Sequence, residues 1–134
     1  MILLEAREIS AGYGDAVIVE NVSLRVPQGE LVAVVGPNGS GKSTLMKSMV
    51  GLARVFGGRV LLRGEDITGL ATWRAAELGL GYVPQVYNVF TNLTVHENLE
   101  LGAYCRRDRA GIRADLEEMY TTFPELAARK GTRA

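Results

Sequence analysis

The chain has 134 residues, 47% of them hydrophobic, which is enough for one compact domain with an apolar core. Its 15 basic residues balance 15 acidic ones, and that argues against a broad nucleic-acid-binding surface, so no nucleic-acid partner is expected. A lone cysteine, Cys105, excludes an internal disulfide and suits a reducing compartment, while no apolar stretch approaches the length of a membrane span.

The start, Met1-Ile2-Leu3-Leu4-Glu5, meets an acid too early for a signal peptide. A cytosolic setting follows, with a membrane reached only through a partner. Ile2 to Ile9 and Val17 to Val26 read as strands on either side of a Gly12-Tyr13-Gly14 turn, the second ended by Pro27-Gln28-Gly29, and together they suggest an antiparallel layer. Leu31-Val32-Ala33-Val34-Val35 reads as a buried strand, and Leu45, Met49 and Leu52 recur at helical spacing after it. Gly57-Gly58 suggests a turn into Arg59 to Arg63. Thr72 could cap a short helix through Leu78, and Leu80 to Val83 returns as a core strand. Beyond Gln85 the pattern turns helical. Thr94 and Glu97 form a capping box for a helix from Val95 to Tyr104, whose Val95, Leu99, Gly102 and Ala103 share a face; a second helix runs from Ile112 to Phe123 through Leu116, Met119 and Tyr120. His96 falls in the first turn at a position expected to face solvent, a surface histidine rather than a base or metal ligand. The Arg106, Arg107, Arg109 cluster and the Arg129, Lys130, Arg133 tail read as solvated faces.

Between the strand at 31–35 and the following helix lies Gly36-Pro37-Asn38-Gly39-Ser40-Gly41-Lys42-Ser43-Thr44, a complete G-x-x-x-x-G-K-[ST] pattern in its required context. Gly36, Gly39 and Gly41 let the backbone turn tightly against phosphate oxygens, so that successive N–H groups point inward at a helix start. Asn38 and Ser40 fill the loop. Lys42 adds a charge for β- and γ-phosphates, Ser43 a hydroxyl for Mg²⁺, and Thr44 a donor near the α-phosphate. The chemistry is nucleotide binding.

The wording of this loop, GPNGSGKST, resembles that of the ATP-binding cassette (ABC) proteins. Tyr13, 29 residues before Lys42, resembles the family's adenine-stacking A-loop aromatic, and Gln85 in Gly81-Tyr82-Val83-Pro84-Gln85 resembles the Q-loop glutamine that reaches Mg²⁺ and the attacking water. Asn92-Leu93-Thr94-Val95-His96-Glu97-Asn98-Leu99 is similar to the segment that opens the family's helical subdomain. The resemblance implies an α/β fold, a P-loop NTPase with a RecA-like core, an N-terminal antiparallel β layer and the start of the helical subdomain. It divides the chain into residues 1–85 of the nucleotide-binding core and residues 86–134 of a partial helical subdomain. Lys42 and Gln85 become the catalytic candidates, with Ser43 and Gln85 on the metal and ATP with Mg²⁺ as ligand. Wording from Tyr82 to Tyr104 and at Thr121 to Leu126 is most like the ATPase subunits of branched-chain amino-acid importers.

That likeness implies an energising subunit held on the inner face of the cell membrane by transmembrane permease subunits, docked near Tyr87, Val89, Phe90 and Leu93, and dimerised with a second ATP-binding subunit. The family's L-S-G-G-Q signature, its apolar strand ending in Asp-Glu and its switch histidine do not occur in these residues. The chain thus reads as a truncated member, expected to hold nucleotide with no turnover by itself. Alternative readings are a soluble cassette protein acting on ribosomes or DNA, and a short nucleotide-binding module that does not hydrolyse.

Overall fold

Two twelve-residue strands, β1 (Ile2–Tyr13) and β2 (Ala16–Pro27), pair antiparallel around a two-residue turn at Gly14-Asp15. The structure is a computed structural model and describes residues 1–134. It divides into two units, Met1–Tyr82 and Val83–Ala134.

In the first unit β1 is central. β3 (Arg54–Leu62) pairs antiparallel with its other edge and the short β4 (Glu65–Asp66) with β3, giving the order β2-β1-β3-β4. One sheet face carries Ala6, Ile9, Ala11, Val19, Val60 and Leu62, and α1 (Lys42–Met49) lays Leu45 and Met49 against that core. Ile9 and Val60 are fully buried, each worth about 1.5–3 kcal/mol in transfer terms.

Buried positions on β1 run Ala6, Ile9, Ala11, so the period of two is broken once, and β3 breaks it in the same way at Val55, Gly57, Val60 and Leu62. An extra residue in each strand restores the inward face. Backbone angles mark the place: φ is 49° at Glu8, 53° at Asn21 and 83° at Gly58. Gly57-Gly58 is therefore a bulge within one continuous strand and not the turn expected, because Arg7↔Arg59 and Ser10↔Gly57 pair on both sides of it. A Cβ on Gly58 would collide with the carbonyl oxygens of Arg7 and Glu8, so only glycine fits there. On the opposite face Glu5 is buried and bonded by Arg7 at 2.7 Å and Arg25 at 2.8 Å.

Two expected strands do not form. Segments 31–35 and 80–83 join no ladder, and Leu31 is 98% and Val83 82% exposed. Their apolar composition, with three valines in the first and Tyr82 and Val83 in the second, meets the propensity, but a strand exists only beside a neighbour that takes its N–H and C=O groups. None pairs with either. The short helix α2 spans Thr72–Glu77, with Ala71 at the N-cap and no side-chain cap. Thr72 is thus the first helical residue and not the expected cap.

The second unit is helical: α3 (Val95–Leu101), α4 (Arg109–Thr122) and α5 (Pro124–Ala128). The Thr94/Glu97 capping box is fully formed, with Glu97 N–H donating to Thr94 Oγ1 at 3.2 Å and Thr94 N–H to Glu97 Oε2 at 2.7 Å. These bonds hold the Glu97 carboxyl below its ordinary value, the Thr94 backbone N–H first among them. Gly102 ends α3 earlier than expected. Pro124 opens α5, a short helix beyond the expected one that ends at Phe123. The His96 side chain is 42% exposed, as expected at that position, and it also makes contacts the sequence did not suggest, with Nδ1 2.5 Å from the Tyr120 hydroxyl and Nε2 3.5 Å from Glu100. The tail closes on the same helix end, where Val95 N–H donates to Thr132 O at 2.9 Å and His96 N–H to Lys130 O at 3.0 Å.

Candidate functional site

From Gly36 to Ser40 the loop is exposed, and it passes into α1 at Gly41, the N-cap, with φ 91° and ψ 8°. That left-handed angle and the approach to the Val19 side chain, where a Cβ would clash, demand glycine at 41. The helix it starts has eight residues, no acid in its first turn, and first-turn N–H groups without acceptors of their own. Its N-terminus is therefore a positive pole open to an anion.

The side chains of the loop sit on this pole. Lys42 Nζ donates to Gly36 O at 2.6 Å and Pro37 O at 2.8 Å, so the ammonium crosses the mouth of its own loop. Gly36 approaches Ser40 so closely that a Cβ there would lie 3.0 Å from Ser40 Oγ. Asn38 and Gly39 are exposed in the loop's turn, Ser43 presents its hydroxyl from the exposed side of α1, and Thr44 is buried behind it.

Sheet and loop meet at Tyr13. The last residue of β1, 44% exposed, receives a hydrogen bond at 3.4 Å from Thr44 Oγ1, and Lys47 Nζ stands 5.8 Å from its ring centroid. The hairpin thereby brings an aromatic ring from 31 residues upstream to the helix that carries Lys42. The family resemblance suggested Tyr13. It did not suggest Lys47, whose position one turn beyond Ser43 is the only signal that could have pointed to it.

The second unit carries the other candidates. Gln85 is exposed in an irregular segment, and Tyr87 (96% exposed), Val89 and Phe90 follow in a loop without helix or strand. Tyr87 has φ 57°. Leu93 is half-buried instead, and its N–H donates to Phe90 O at 3.1 Å. Asn98, absent from the sequence candidates, bonds this loop from α3 at Phe90 N and Phe90 O. No helix in the structure is long and apolar enough to cross a membrane.

A protein-family model described as ABC transporter matches residues 19–132. The chain is 44% identical to a probable branched-chain amino acid transport ATP-binding protein, LivF, of Archaeoglobus fulgidus, over 94% of this chain and 53% of that protein. It is 40% identical to the lipopolysaccharide export system ATP-binding protein LptB of Haemophilus influenzae, over 81% of this chain and 45% of that protein. Among solved structures it superimposes on the ADP conformation of an ATP-binding cassette of an ABC transporter, with a TM-score of 0.70 and 30% identity, over 84% of this chain and 44% of that one. The chain spans about half the length of the curated relatives it matches.

Proposed function

This chain belongs to the ABC transporter family, and we propose that it supplies the ATP-binding loop of the energising subunit of a transporter, a branched-chain amino-acid importer. The carrying observation is that the Lys42 ammonium crosses the loop at the acid-free start of α1 while the Tyr13 ring lies against Thr44 and Lys47 of the same helix. A polyanion joined to an aromatic base suits that donor set. ATP and Mg²⁺ fit it on the same chemistry: backbone N–H groups at Gly39 and from Gly41 to Thr44 for phosphate oxygens, Asn38 and Ser40 shaping the loop, and the Ser43 hydroxyl as a metal ligand.

In this reading Lys42 leaves its two carbonyls for the β- and γ-phosphates, Thr44 supports the α-phosphate, and Tyr13 stacks on the adenine. By its resemblance to the Q-loop glutamine, Gln85 would serve as a second Mg²⁺ ligand and orient the attacking water in the full-length subunit, where Lys42 would stabilise the charge that develops on the transferring group. When bound, Mg²⁺ neutralises phosphate charge. The protein's own part is positioning.

The solute assignment draws on the archaeal relative's description, and the docking surface for transmembrane permease subunits is the loop of Tyr87, Val89 and Phe90. A second ATP-binding subunit completes the assembly, which sits on the cytoplasmic face of the cell membrane through the permease. Uptake of labelled leucine by cells lacking the full-length gene, complemented with wild type or Lys42→Ala, tests the whole reading. Uptake restored by wild type and not by Lys42→Ala is expected. Equal restoration by both removes the energising role, and failure of both alongside a defect in lipopolysaccharide export moves the solute to the class of the second relative.

A further inference from the structure

The loop ahead of α3 presents Tyr87, Val89 and Phe90 to solvent, yet one side chain ties it down. Asn98, half-buried on α3, accepts the Phe90 N–H at Oδ1 over 2.7 Å. Its Nδ2 donates to Phe90 O and to Thr94 O, each at 2.9 Å, and approaches Leu93 O at 3.4 Å. An amide has both an acceptor and donors on one planar group, so Asn98 satisfies both backbone groups of Phe90 as a neighbouring strand would. The loop has no ladder or helix of its own. Without Asn98 the Phe90 N–H would turn to water, Phe90 O would keep only the Leu93 N–H at 3.1 Å, and the segment would open locally.

The fixed geometry reaches further. Leu93 O also accepts from Ala134 N at 3.0 Å, which joins the loop to the tail. Asn98 lies with Val89, Phe90, Leu99 and Leu126 along a cavity of about 520 Å³ in this unit.

We infer that Asn98 is a positioning residue for docking: it holds the loop of Tyr87, Val89 and Phe90 in its binding shape before the permease arrives. The inference rests on the proposed role of that loop. Ordering a loop in advance removes a cost that association would otherwise meet, so the side chain acts through the loop and touches neither nucleotide nor permease.

The test uses the full-length protein and its permease in lipid nanodiscs. Asn98→Leu should speed Phe90 amide exchange and weaken permease binding, each by about tenfold or more, with ATP affinity unchanged. Asn98→Asp keeps the acceptor for the Phe90 N–H but sets a carboxylate oxygen against the Phe90 and Thr94 carbonyls, so it too should speed Phe90 exchange and weaken permease binding. The amides of Val95 and His96, bonded to the tail, should keep their protection in both variants. Unchanged exchange at Phe90 would overturn the inference, as would loss of protection at Val95 and His96 together with Phe90, which would make Asn98 a general support of α3. Tyr87→Glu separates the two levels, since it alters the surface and leaves the pinning intact. If Tyr87→Glu weakens permease binding and Asn98→Leu does not, positioning alone fails; if neither weakens it, the docking role fails as well.

Discussion

Replacing Lys42 by alanine removes the one side-chain cation at the mouth of the phosphate loop. In this structure its Nζ is bonded to Gly36 O at 2.6 Å and Pro37 O at 2.8 Å. ATP must draw the amine away from those carbonyls, so the gain on binding is the difference between a charge-assisted phosphate contact and two contacts to neutral carbonyls. The phosphate contact is worth about 1.5–3 kcal/mol net, and giving up the carbonyls returns a fraction of that. A loss of roughly 1–3 kcal/mol, or about 5- to 150-fold in Kd, is the expected result. Because the amine is held at an exposed site, the fold should survive the change. Titration calorimetry with ATP and Mg²⁺ on both proteins, with circular-dichroism melts alongside, measures the two quantities separately. Equal affinity within about twofold in two equally folded proteins would refute the argument, since no other side-chain cation of the loop could replace the charge.

Other consequences follow from the same geometry. Tyr13→Ala should lose about 1 kcal/mol of ATP affinity while Tyr13→Trp binds like wild type, because stacking needs a ring and not a hydroxyl; if both bind alike, Tyr13 serves only the contact with Thr44. Thr94→Ala removes the side-chain cap of α3 and should cost about 0.5–2 kcal/mol of stability in thermal melts, with a change confined to nucleotide affinity contradicting that role. The Glu5 carboxyl is held below its ordinary value of 4.5 by hydrogen bonds from Arg7 and then Arg25. A carboxyl with a lowered value in the folded state contributes stability above about pH 4.5, and that contribution disappears as pH falls through the folded value. Glu5→Gln should therefore melt below wild type at pH 7, and the gap should close under acid conditions; a gap that stays constant from pH 7 to below 4.5 would show that charge is not its source.

The features legible in the sequence are those whose physics is local. A phosphate loop is a run of consecutive backbone N–H groups with glycines where the chain must turn, so its residue order already specifies it. The hairpin of β1 and β2 and the Thr94/Glu97 box are likewise set by residues a few positions apart, and their periodicity and caps predicted them. Tertiary structure decided what needs a partner. The apolar runs at 31–35 and 80–83 have strand composition, and composition cannot supply the ladder that neither has. Gly57-Gly58 looks like a turn in one dimension and becomes a bulge because β1 carries a matching irregularity at Glu8, which only pairing reveals. His96 met Tyr120 across 24 residues, and Lys47 met the ring of Tyr13, by the packing of elements and not by spacing. Asn98 stands inside a readable helix, but its hold on Phe90 depends on where an irregular loop returns, and the entropy of such a loop erases any periodic signal that could have forecast it.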